Sequence, residues 1–243
     1  MGWGVLTLLA GFVLIGASAQ RITGMGFALV ASPFLVLVLG PANAVPLTIT
    51  LGTIATVAVL LQVWRDVEPR TALLLLVPAI LGILPGRWVA ERLPPSVLGI
   101  LIGVLVMVAV LSMVVSPKAH ILKGRPGAVV AGFLSGFMNA TAGVGGPAIV
   151  LYALSTKWRH EAFVATTQVY FLGLSVATLL ALDPVRLPLE GWAAALSGLA
   201  LGLLAGTVVA RHVTAAHART AVVVLALAGS AATVVKGVIE LLA

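Results

Sequence analysis

The sequence predicts an all-α integral membrane protein of two tandem, inverted repeats, each an interrupted hairpin segment followed by three transmembrane helices. Three observations lead there: a composition too apolar for water, apolar runs long enough to cross a bilayer, and a pattern that recurs halfway along the chain. Of 243 residues, 61% are hydrophobic and 9% are charged, and the mean hydropathy is +1.20. Soluble domains run near 45–50% apolar and about 25% charged. A chain this apolar cannot cover itself with polar surface, so lipid must be the solvent for much of it. No Ser/Pro-rich or charged linker divides it, so residues 1–243 read as one transmembrane domain, with repeat one at 3–116 and repeat two at 127–243.

A transmembrane helix needs about 20 predominantly apolar residues. Charge and proline divide the chain into apolar segments at 3–39 (interrupted), 44–64, 71–90, 97–116, 127–154 (interrupted), 162–182, 191–210 and 220–242. The runs are too long, and alternate too little, for membrane strands. The first run ends Ala17-Ser18-Ala19, which mimics a signal-peptidase site. No Lys or Arg precedes it and the repeat uses this stretch, so it is expected to stay in the mature protein.

The halves match in order. Ala10-Gly11-Phe12 recurs as Ala131-Gly132-Phe133, and Thr23-Gly24-Met25-Gly26 lies over Ala142-Gly143-Val144-Gly145. The stretch 81–90 shares six of ten positions with 201–210. Duplication of this kind builds many transporter folds. The pairs Gly82/Gly86 and Gly202/Gly206 have the small-xxx-small spacing of close helix packing.

The breaks carry the chemistry. Gly143-Val144-Gly145-Gly146-Pro147 places three glycines in four residues, each weakening a helix by about 1 kcal/mol relative to Ala. Pro147 suits the first turn of a new helix, so Gly143–Gly146 reads as an unwound hinge between two short helices. At 1.5 Å per residue the run 127–154 reaches about 42 Å, too short for two crossings. It is one kinked span or a hairpin. In the first half, residues 20–26 occupy the matching place. With 117–126 (Lys118, Lys123, Arg125) taken as cytoplasmic, hairpins also put Arg65, Arg70, Lys157, Arg159, Arg211 and Arg219 inside. A single crossing reverses the second half. The excess of Lys and Arg on cytoplasmic connections favours hairpins, and inverted halves with them.

Irregular backbone at membrane depth must be satisfied by protein or a water-filled cavity. A helix beginning at Pro147, and its counterpart near Gly26, would aim free N–H groups and partial positive charge at one place. The expected binding residues for a small anion are therefore Thr23, Gly24, Gly26, Asn139, Thr141, Gly143, Gly145 and Gly146. Gln168 and Thr167 are expected as side walls, because an amide in lipid needs a partner or a cavity. Arg21 is either a counter-ion for substrate or an interface anchor. Thr48, Thr50, Thr166 and Tyr170 are further polar residues on helices that follow the breaks.

Other classes are disfavoured. The net charge is +7, but the basic residues sit singly or in pairs in short connections with no interleaved aromatics, so nucleic acid is not an expected partner. There are no cysteines, which excludes disulfides and thiolate metal sites. The four histidines lie in polar connections without zinc-site spacing, and no metal or cofactor is expected. No transmembrane run carries a central Asp or Glu, and no phosphate-binding loop or nucleophile–base pair is present. This disfavours ATP use, a carboxylate proton relay and an intramembrane enzyme. An anion channel using the same breaks and a substrate-free scaffold remain as rivals.

Gly-Phe-Leu-Ser-Gly at 132–136, Gly-Val-Gly-Gly-Pro at 143–147, and a Thr/aromatic helix after a basic connection together resemble the sulfite exporter TauE/SafE family. Thr23-Gly24-Met25-Gly26-Phe27 with Pro33 looks like that family's first-half version, departing from it at Met25 and Phe27, where a glycine is often found. The resemblance spans essentially the whole chain. It implies a multi-pass permease of the cytoplasmic (inner) membrane for sulfite, sulfoacetate or another sulfonate, with a small carboxylate as alternative substrate. The implied partners are a small-molecule anion and the lipid bilayer, and a homodimer is left open.

Overall fold

The computed structural model describes residues 1–24, 26–115 and 122–242, with side chains at all of these but 113, 115, 215 and 216. Met25 and Lys118, both used in the sequence argument, lie outside them. The described chain is helical: α1 (Trp3–Thr23), α2 (Phe27–Leu39), α3 (Pro41–Val63), α4 (Pro69–Arg92), α5 (Pro95–Val115), α6 (Gly124–Ala142), α7 (Gly146–Thr156), α8 (His160–Ala181), α9 (Leu189–Val209) and α10 (Ala215–Leu242). Seven stretches are long and apolar enough to cross a membrane, and α2 and α7 are short apolar helices. Apart from α1, the helices that open these apolar runs begin two to five residues ahead of the runs read from sequence. Pro41, Pro69 and Pro95 start three of them, where a missing N–H costs nothing. α10 extends back through His217 and Arg219, because a helix continues past the lipid while hydropathy reports only the part inside it.

Both interrupted segments fold back on themselves. Across the first break, the Phe12 and Phe34 rings stack 4.5 Å apart, and a Cβ on Gly16 would meet that of Ala31 at 2.9 Å. Across the second, Ser135 Oγ donates to Gly145 O at 2.7 Å. Ten residues of straight helix would hold that pair about 15 Å apart. The arms are unequal: α1 and α6 are long, α2 and α7 short. The unwound stretch is also tighter than the sequence suggested. Residues 20–23 complete α1 and Gly146 already belongs to α7, leaving 24–26 and 143–145 as the breaks.

The long arm of each hairpin lies along a helix of the other half, α1 on α9 and α6 on α4. Glycines make these seams. A Cβ on Gly86 would sit 2.7 Å from Phe137 O, and one on Gly206 would sit 2.9 Å from Ser18 Cα. Gly82 and Gly202 are pressed in the same way against the Phe133 and Leu14 carbonyls. Without a hydrophobic force between helices in lipid, such close approach supplies the dispersion contact that holds them together.

Connections gather at two ends. At one end the Met1 amino group lies 2.8 Å from Glu190, the Arg186 N–H donates to Asn43 Oδ1, and Lys236 Nζ donates to Leu37 O. At the other, Glu68 accepts from Trp158 Nε1 at 3.1 Å while its N–H donates to Thr166 Oγ1. The Trp158 contact brings the basic connections around 65–70 and 157–159 together.

Candidate functional site

Each break is built alike. Gly24 (φ 82°) and Gly143 (φ 70°) end α1 and α6 in the left-handed region, where a Cβ would meet the carbonyl oxygen that follows it. Their N–H groups close the last turn onto Gln20 O at 2.8 Å and Asn139 O at 2.9 Å. After two residues the chain turns helical again. Gly26 and Gly145 precede α2 and α7, and neither helix has a side-chain cap. The first-turn N–H groups of both short helices therefore lack the partner that a Ser, Asp or Asn would have supplied.

These two ends meet in one cavity of about 80 Å³. From the first half come Gln20, Gly24, Phe27 and Ala28, and from the second Asn139, Gly143, Val144, Gly145 and Gly146. Its walls are α3, through Thr48, Ile49, Gly52 and Thr56, and α8, through Gln168, Phe171 and Ser175. A shift of 119 residues carries Gln20 onto Asn139, Gly24 onto Gly143, Phe27 onto Gly146, Ile49 onto Gln168, Gly52 onto Phe171 and Thr56 onto Ser175, every one a lining position. Both halves thus contribute the same places in their sequence to one site.

No described residue lining the cavity is charged. Its polarity comes from neutral groups and from backbone. Gln20 is 7% exposed, and its amide has no hydrogen-bond partner among the described residues. Thr178 Oγ1 donates to Leu174 O at 2.8 Å, so it must accept from Asn139 Nδ2 at 3.0 Å. Gln168 Nε2 donates to Val164 O at 3.2 Å. Both amides are oriented by these bonds, which leave Asn139 Oδ1 and Gln168 Oε1 as open acceptors. The helix dipoles add about half a positive charge at each of the two converging N-termini, set against about half a negative charge at each of the α1 and α6 C-termini that end at Gly24 and Gly143.

Six of the residues singled out from sequence line this cavity: Gly24, Asn139, Gly143, Gly145, Gly146 and Gln168. Five lie away from it. Thr23 is exposed and donates to Ala19 O, and Gly26 is packed beneath Thr23 and Ala19. Thr167 donates to Phe163 O. Thr141 donates to Phe137 O and faces a second cavity of about 290 Å³ beside Pro41, Glu91 and Asp183. Arg21 reaches across to α9, where its Nε donates to Thr207 Oγ1 at 3.0 Å. For the three threonines the reason is that a helical threonine turns back on the carbonyl four residues earlier, and residue type alone does not tell which way it faces. Gln20, Thr48, Thr56 and Ser175 line the cavity without having been placed there from sequence. For Gln20, Thr56 and Ser175 a signal existed: the 119-residue shift pairs them with Asn139 and with each other.

The sequence model of one protein family, described as Sulfite exporter TauE/SafE, matches residues 8–233. No curated protein and no solved structure matches the chain.

Proposed function

The chain belongs to the sulfite exporter TauE/SafE family, a family of membrane transporters, and from that premise we propose that it is a secondary transporter of a small organosulfur anion. Sulfite, sulfoacetate or another sulfonate would bind in the cavity between the two breaks and cross the cytoplasmic membrane by alternating access. The observation that carries the reading is the meeting, in one cavity with no charged lining residue among those described, of two uncapped helix N-termini and a Gln20 amide that has no partner among the described residues. Backbone N–H groups at a helix start, with no Cβ beside them at Gly146, are a ready-made anion cradle. Neutral amides and hydroxyls complete it.

The proposed binding set is Gln20, Gly24, Asn139, Gly143, Gly145, Gly146 and Gln168, with Thr48, Thr56 and Ser175 on the walls. Two hairpins entering from opposite faces, each followed by three crossings, make the halves inverted, with the end that carries Arg65, Arg70, Lys157 and Arg159 in the cytoplasm. One half moving against the other around the fixed site would expose it to each side in turn.

The test is counterflow in proteoliposomes preloaded with sulfite or a sulfonate. A carrier accelerates entry of labelled substrate when unlabelled substrate waits inside. Flux indifferent to internal substrate would make the protein a channel, and no anion flux from folded protein would overturn the reading.

A further inference from the structure

Resting on the transport reading, we propose that the cavity takes its oxyanion singly charged and still carrying a proton, and rejects the dianion. Three observations converge. First, no described residue lining the cavity is charged, and the helix ends there nearly offset one another: the N-termini of α2 and α7 bring about half a positive charge each, the C-termini of α1 and α6 at Gly24 and Gly143 about half a negative charge each. An anion there is held by hydrogen bonds from N–H groups, with no full positive charge to offset a second negative one. The desolvation penalty of an ion grows with the square of its charge, so a second charge would enter this small, buried space without compensation.

Second, the side chains offer acceptors as well as donors. The hydrogen bonds from Asn139 to Thr178 and from Gln168 to Val164 fix both amides, leaving Asn139 Oδ1 and Gln168 Oε1 as acceptors beside one further N–H on each amide. Thr48 Oγ1 spends its proton on Ala44 O, so it too can only accept. Bare acceptors repel a fully ionised oxyanion, and they pair with one that still has an O–H. Third, Gln20 is more than nine-tenths buried, lines the cavity, and has no partner among the described residues. Its amide offers an N–H to the charged oxygen and a C=O to the protonated one.

This narrows the substrates of the transport reading: among them hydrogensulfite fits the description, and the dianions sulfite and sulfoacetate do not. The proton would then ride on the substrate, and no carboxylate relay would be needed at membrane depth.

The experiment is uptake by the full chain in proteoliposomes at constant total sulfite, over the pH range in which sulfite loses its last proton. The permanently singly charged methanesulfonate, with hydroxymethanesulfonate as its O–H-bearing partner, controls for effects of pH on the protein. Uptake is expected to fall about tenfold per pH unit above that ionisation, following the protonated species, while inhibition by hydroxymethanesulfonate stays flat and exceeds that by methanesulfonate. Uptake that holds or rises as the dianion replaces hydrogensulfite overturns the inference and leaves the transport reading intact. Failure of all these anions to move overturns both.

Discussion

Gln20 and Asn139 stand four residues ahead of the left-handed glycine that closes their helices, and each gives its carbonyl to that glycine's N–H. Their backbone work is therefore the same, but their side chains differ: Asn139 is tied to Thr178, and Gln20 has no side-chain partner among the described residues. An unpaired buried amide is costly, and a hydrogen bond from it to a charged ligand is worth about 1.5–3 kcal/mol. We predict that Gln20→Leu weakens binding of the transported anion roughly 10- to 100-fold, read as substrate-dependent thermal stabilisation, while the melting temperature without ligand holds or rises. Thr167→Val serves as its contrast. The Thr167 hydroxyl bonds its own helix, so binding should change less than about twofold, a shift of a few tenths of a kcal/mol. A large loss there would move the site toward the far face of α8.

At the scale of elements, glycine serves two purposes that the sequence does not separate by itself. Gly24 and Gly143 are needed for their positive φ, and each replaced by Ala should lose about 1–2 kcal/mol, measured by thermal unfolding in detergent. Gly86 and Gly206 are needed for lack of bulk at the α4–α6 and α1–α9 seams. Gly206→Leu should destabilise by about 1–3 kcal/mol or more through overpacking, with the affinity of the folded fraction unchanged. Gly145 belongs to the second kind, since a Cβ there would lie 2.8 Å from Ser135 Oγ. Gly145→Leu would therefore break the hairpin instead of emptying the site. The breaks were legible because Gly143–Pro147 cannot continue a helix. That the arms fold back was legible only through charge placement, since residues such as Ser135 and Gly145 meet through a turn no periodicity announces.

For the whole molecule, the apolar runs announced the helices and the membrane, and the 119-residue register relates residues of both halves around one cavity. Matching Gln20 to Asn139 requires aligning the breaks residue by residue; Arg21, the louder neighbour, turns to Thr207 instead. Inversion of the halves is testable because the chain has no cysteine. Asp66→Cys and His160→Cys are expected to react with impermeant thiol reagents from the cytoplasmic face, and Asp183→Cys from the opposite face. All three reacting from one side would refute the inverted arrangement. The central claim, that two helix starts hold an anion between the halves, is tested most directly by a structure with selenite, whose selenium is located by anomalous scattering. The expected result is one selenium peak within hydrogen-bond reach of Gln20 and of the backbone N–H of Gly146. A peak elsewhere, or unbroken helices through residues 24–26 and 143–145, would contradict it.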